Sequence, residues 1–305
     1  MLVNFFIIVI SLVLSTLVSI ILFPVLERFN CHQSVSRSIE RHLKKDQTKT
    51  MGGIIFVVPY LLLSIYFKVN ILLIIQPILY SLLGFYDDYM KVKEKNNKGL
   101  SITIKFILEL IIALIFYFIY LINGYSNNFC LNHYCFDIGF IYGIWVLFFF
   151  CLFTNAVNIT DGLDGLVGGL SIILLWGFTF IIRDVTSIII LISGLIIFMF
   201  YNHYPAKIFM GDLGSLFLGA YFASLSLILK KESFLIIGGM LFILELLSSF
   251  LQIISIKLFN RKIFLKAPLH HHFEEKNYPE KKIVSLFYLI GVIFLIISLI
   301  IELLF

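Results

Sequence analysis

Five short stretches hold the side chains that could do chemistry in this chain. Asp87-Asp88-Tyr89-Met90-Lys91 sets two carboxylates side by side where an apolar run ends. Adjacent carboxylates repel and are costly to desolvate, so a divalent cation or a nearby basic group would relieve them. NAVNITDGLDG at 155–165 breaks apolar sequence with amides, a hydroxyl, two aspartates and two glycines. Asp161 and Asp164 are three apart and share a face if the stretch is helical. Gly162 and Gly165 allow unusual backbone angles and close approach to a ligand. No Lys or Arg lies in this loop. In PAKIFMGDLGS at 205–215, Asp212 stands before a long apolar run. It could cap a helix. A helix N-terminus also offers free N–H groups to phosphate, and a carboxylate there could hold Mg²⁺, which takes one or two carboxylates plus substrate oxygens.

APLHHHFE at 267–274 places His270, His271 and His272 in a row. Three neighbouring histidines do not all point one way, so imidazoles beside a phosphate site fit better than a three-histidine zinc site. Lys44 and Lys45 lead into Thr50-Met51-Gly52-Gly53. Lysines there neutralise phosphates as point charges or simply set topology. Glu109 and Glu245 sit inside apolar runs. A carboxyl there is functional or a protonated partner between helices.

The elements that position these groups follow from composition. The 305 residues are 60% hydrophobic and 13% charged, against about 25% charged in a soluble domain. Lipid must therefore be the solvent for much of the chain. About ten runs are long enough to span, near 2–24, 51–67, 71–86, 102–122, 139–156, 164–182, 185–201, 213–229, 233–258 and 283–304. Each is expected to be helical, because lipid offers the backbone no hydrogen-bond partner. The expected fold is all-α: a single polytopic membrane domain over 1–305. The first run reads as a retained helix rather than a cleaved signal. Loops of one set hold 19 of the 23 Lys and Arg residues. Those loops face the cytoplasm by the positive-inside rule, and both termini lie outside it. Asp87, Asp88, Asp161, Asp164 and Asp212 fall at the same ends of the runs as those loops, as an active site at a membrane surface requires. Cys130 and Cys135 share one short polar stretch and are read as free thiols, with pairing open on an oxidising side.

Together these motifs resemble the phospho-N-acetylmuramoyl-pentapeptide transferases, of the polyprenyl-phosphate hexose-1-phosphate transferase superfamily. The resemblance runs nearly end to end, through TMGG at 50–53, GFYDDYMK at 84–91, NAVNITDGLDGL at 155–166, PAKIFMGDLGSL at 205–216 and APLHHHFE at 267–274. The histidine motif points to the muramoyl branch. What the resemblance implies is a ten-helix fold in the bacterial plasma membrane with a cytoplasmic groove. The implied reaction moves phospho-MurNAc-pentapeptide from its UDP carrier to undecaprenyl phosphate, giving lipid I and UMP. The resemblance further implies that Asp212 binds Mg²⁺, that Asp87 and Asp88 meet the reacting phosphates, and that His270 is an essential imidazole. It puts Lys45, Thr50, Asn158, Asp161 and Asn202 in the polar pocket, with Lys105 as a phosphate-binding lysine and His271 and His272 at the substrate. Gly162, Leu163, Asp164 and Phe209 would hold the uridine end, with Phe209 stacked on uracil. The implied partners are the two substrates and the bilayer, with no nucleic acid; a homodimer is left open. Where the family commonly has Gly-Thr-Pro-Thr-Met-Gly-Gly, this chain has Gln47-Thr48-Lys49-Thr50-Met51-Gly52-Gly53, which loosens the carry-over to Lys45.

Direct attack by the lipid phosphate and a phospho-enzyme on Asp87 or Asp88 both fit these residues. A sister transferase using UDP-GlcNAc is the near alternative. An ion-coupled transporter would need carboxyls near mid-membrane and repeated broken helices, whereas five aspartates gather at one edge and no repeat is present.

Overall fold

A computed structural model describes residues 2–29, 48–94, 99–131 and 134–304. In chain order the helices are α1 (Leu2–Arg28), α2 (Ile54–Tyr66), α3 (Ile71–Glu94) and α4 (Ile102–Ile122). A hairpin of β1 (Asn128–Leu131) and β2 (Tyr134–Asp137) follows. Then come α5 (Ile141–Thr160), α6 (Leu166–Phe178), α7 (Thr186–Asn202), α8 (Gly211–Leu229), α9 (Glu232–Gly238), α10 (Met240–Phe259), α11 (Leu269–Glu275) and α12 (Glu280–Leu304). Seven of these helices (α1, α3, α4, α5, α8, α10 and α12) are long and apolar enough to cross a bilayer, and α2, α6 and α7 are shorter apolar helices. The chain is a multi-pass membrane protein.

Two expectations need correction. The run at 233–258 is two helices: the chain breaks at Gly239 (φ −93, ψ 11), between α9 and α10. Uniform apolarity cannot register such a break. The fold is mostly helical as expected, with one small hairpin in which β1 and β2 pair antiparallel from Asn128↔Asp137 to Leu131↔Tyr134. That register sets Cys130 opposite Cys135, and the two form a disulfide rather than remaining free thiols. Lys230 holds the hairpin against the bundle. Its Nζ donates to Ser126 O (2.7 Å) and Asn128 O (2.8 Å) and lies 3.8 Å from the centre of the Tyr142 ring. So short a crosslinked loop is worth ~2 kcal/mol by chain entropy. Replacing both cysteines by serine should lower the melting temperature by a few degrees while leaving turnover intact; calorimetry beside an activity assay checks both.

The core is built around α8. Every residue from Leu213 to Leu227 is buried, as expected of a helix apolar on all sides. It packs on α3, α5 and α2. Small residues let the backbones come close: a Cβ on Gly219 would overlap the backbone of Phe153 and Thr154, and one on Gly53 the backbone of Gly214. Phe56, Tyr60, Phe217 and Tyr221 fill the α2–α8 contact with edge-on rings. The result fixes the C-terminal ends of α3 and α5 beside the N-terminal ends of α4 and α8, at one rim of the bundle.

Candidate active site

α3 continues past its apolar run, so Asp87, Asp88 and Lys91 lie on its last turns, while Asp212 occupies the first turn of α8. These two helix ends interlock. Asp88 Oδ2 accepts the Leu213 N–H (3.1 Å), one of the N–H groups a helix start leaves without an internal partner. Gly211 makes this possible: its φ is +77, and a Cβ there would overlap Asp88 Oδ2. Asp212 Oδ2 accepts from two ammonium groups, Lys105 Nζ at 2.6 Å and Lys91 Nζ at 3.1 Å. Lys91 also pairs with Asp87 Oδ2 (2.6 Å), whose other oxygen accepts the Leu100 N–H (2.7 Å). From α5, Asn158 Nδ2 donates to Asp212 Oδ1 (3.0 Å) and to Ser215 Oγ (2.8 Å). A cavity of about 360 Å³ opens beside this cluster, lined by Asp87, Lys91, Lys105, Glu109, Asn158 and Asp212 among others.

The TMGG and FMGD motifs meet through their backbones. Phe209 N donates to Lys49 O (2.7 Å), Gly52 N to Phe209 O (2.8 Å) and Gly53 N to Met210 O (3.0 Å). Thr50, buried, comes beside Gly211. At the other side of the rim, His270 is buried on α11. Its Nδ1 lies 3.0 Å from Glu245 Oε2, and a Cβ on Gly162 would overlap its Nε2. Segments distant in sequence thus converge: two cations and three aspartates around a helix start, with an imidazole beside the glycine loop.

Residues 70–230 match the model of glycosyl transferase family 4. The phospho-N-acetylmuramoyl-pentapeptide-transferase of Staphylococcus haemolyticus is 39% identical to this chain over 311 residues, covering 95% of this chain and 96% of the relative. The chain belongs to the phospho-N-acetylmuramoyl-pentapeptide-transferase family. Its likeness extends to the proteins of that name from Oceanobacillus iheyensis, 38% identical over 97% of this chain and 96% of the relative, and Staphylococcus aureus, 39% identical over 93% and 94%.

In this transferase the predicted site residues divide into two kinds. Asp87, Asp88, Asp212, Lys105 and Asn158 form the cluster itself. Others brace it. Asn202 is buried with its amide fully engaged: Oδ1 accepts from Gly165 N (2.9 Å) and Nδ2 donates to Ile208 O (2.9 Å). It ties the 161–165 loop to the 205–211 segment rather than lining the cavity. Asp164 does likewise, accepting from Ala206 N (2.9 Å) while its own N–H goes to Glu280 Oε1 (2.8 Å). Leu163 is buried and Phe209 half-buried. The three histidines take separate partners: Glu245 for His270, Glu274 Oε2 for His271 (2.6 Å), and the Leu265 N–H for His272 Nδ1 (3.1 Å). Burial lowers the pKa of His271, against the pull of Glu274. Lys45 lies outside the described residues.

Four participants carry no assigned role in the sequence reading. Lys91 stands in the Asp87–Lys91 stretch without a role of its own, although its place four residues after Asp87 is the signal. Asn155, which donates to Glu109 Oε2 (2.7 Å), and Ser215 were present in the motifs without a role. Glu280 carries no local signal.

Asp161 closes α5 at this rim. Burial, and then the charges of Asp212, Asp88 and Asp164, push its carboxyl from 3.8 up to about 8. The fold therefore favours the protonated form. That stabilisation is complete below about pH 4 and is lost as pH rises towards 8. In detergent without Mg²⁺, the melting temperature should fall between pH 5.5 and 8.5 more steeply for the native chain than for Asp161→Asn. Parallel slopes would contradict this.

Proposed function

We propose that this chain transfers phospho-MurNAc-pentapeptide from UDP-MurNAc-pentapeptide to undecaprenyl phosphate, releasing UMP, at the cytoplasmic face of the bacterial membrane. The observation that carries the reading is Asp212 held between Lys91 and Lys105 at the mouth of a cavity shared with Asp87. Both substrates are phosphate anions, so neutralising charge is the main catalytic task. An oxygen of the lipid phosphate attacks the β-phosphorus of the donor. A new pyrophosphate bond forms, the bond from β-phosphorus to the bridging oxygen breaks, and UMP leaves with that oxygen. Lys91 and Lys105 face the phosphates as point charges. Asp87 or Asp88 accepts the proton of the lipid phosphate, or attacks first and passes the sugar phosphate on.

The donor set suits Mg²⁺. Beside the protonated Asp161, the carboxyls of Asp87, Asp88 and Asp212 outnumber the two ammonium groups of Lys91 and Lys105, which leaves negative charge to balance. Among the described residues no three candidate ligands are grouped tightly enough to cage an ion, and Mg²⁺ needs only one or two carboxylates beside substrate oxygens. Asp212 would hold it, with Asn158 fixing the carboxylate plane; when bound, the ion would neutralise the donor pyrophosphate.

The lipid reaches this rim from the bilayer and the nucleotide from water, which explains why the polar groups sit at helix ends. In this reading the three shorter apolar helices also span, α9 and α10 together cross once, and the termini lie outside the cytoplasm. Purified protein offered both donors should turn over UDP-MurNAc-pentapeptide. Turnover of UDP-GlcNAc alone would overturn the muramoyl reading in favour of a sister transferase.

A further inference from the structure

Glu245 is a carboxylate in the first half of α10, fully buried in apolar surroundings. Such a group is retained at a cost unless it serves something. Both of its oxygens point at one residue. Oε1 accepts the backbone N–H of His270 (3.2 Å), and Oε2 lies 3.0 Å from His270 Nδ1. Oε1 accepts that backbone N–H; with the carboxyl ionised Oε2 accepts as well, and the ring proton then belongs on Nδ1. Nε2 is then the free nitrogen. It is buried, has no hydrogen-bond partner among the described residues, and packs on Gly162, where only a residue without Cβ leaves it room.

We propose that Glu245 is the positioning residue of this site: it locks His270 in the Nδ1–H tautomer and aims Nε2 at the Asp161–Gly162 loop, on the donor side of the rim. This rests on the transferase reading above. Nε2 there accepts a hydrogen bond, or takes a proton and presents it to a phosphate oxygen, with Glu245 stabilising the imidazolium. The charged and titratable groups facing the ring are Glu245 from α10 and His271 from its own helix, with Asp161 next to Gly162 in the loop.

Three variants and one measurement on the native chain test this. Glu245→Gln keeps the shape and loses the charge. It should retain the melting temperature and the KM for UDP-MurNAc-pentapeptide while kcat falls ~10²-fold, and the acid limb of the pH–rate profile should move to lower pH. Glu245→Asp should recover part of kcat, and Glu245→Ala should not. A Glu245→Gln enzyme with native kcat and an unshifted profile would overturn the proposal. If the variants do not fold, ¹⁵N-histidine NMR of the native chain decides: Nδ1–H at His270, assigned by the signal lost in His270→Asn, is expected, and Nε2–H overturns it. Failure of the transferase reading would appear separately, as a native chain that releases no UMP.

Discussion

An Asp212→Asn enzyme is expected to release UMP ~10³-fold more slowly than the native chain while remaining folded. Asparagine has nearly the same shape, so the contact of Asn158 with the first turn of α8 can persist. The charge cannot. Asp212 Oδ2 accepts from both Lys91 and Lys105. Removing it leaves Lys91 held by Asp87 alone, takes from Lys105 the carboxylate it pairs with, and removes the ligand proposed for Mg²⁺. Steady-state UMP release at saturating Mg²⁺ gives the rate, and thermal unfolding in the same detergent shows that the fold survives. A loss smaller than ~10-fold would mean that the cluster at the start of α8 is not where the chemistry occurs.

Gly84→Ala is expected to be nearly as damaging without touching any charged group. Gly84 sits one turn before Asp87 and Asp88, and a Cβ there would overlap the backbone of Asp212 and the Leu213 nitrogen. That nitrogen donates to Asp88 Oδ2. The added methyl therefore forces α3 away from α8 at the point where the two halves of the site interlock. Overpacking of this kind costs about 1–3 kcal/mol of stability, and a displacement of ~1 Å at a reacting centre costs on the order of 10²-fold in rate. Assayed well below its melting temperature, the variant should show the rate loss in kcat more than in KM. Native kcat would contradict the close α3–α8 contact.

Much of the fold was legible because lipid leaves the chain few choices. An apolar run in a bilayer must be helical, so the runs at 102–122 and 213–229 match α4 and the body of α8 closely. The gathering of aspartates at one rim was legible for the same reason, since helix ends alternate between two faces. Less visible was what each polar residue holds. Asn202 and Asp164 have the look of pocket residues, yet both side chains bond to backbone groups of neighbouring loops; residue type reveals hydrogen-bonding capacity and not its recipient. Lys91 ends the Asp87–Lys91 stretch, but that it also reaches Asp212 far along the chain is not written there, and Glu245 pairs with a histidine 25 positions away. The break at Gly239 and the pairing of Cys130 with Cys135 depend on local backbone geometry that hydropathy does not encode.

The most direct measurement is UMP release by purified protein in detergent, counted against lipid-linked product, with undecaprenyl phosphate or Mg²⁺ withheld in turn. Equal amounts of UMP and lipid-linked phospho-MurNAc-pentapeptide are expected, with turnover collapsing when either is omitted. Sustained turnover without the lipid acceptor, or undiminished turnover in the presence of a chelator, would contradict a site in which anionic carboxyls and a cation bring two phosphates together at the membrane rim.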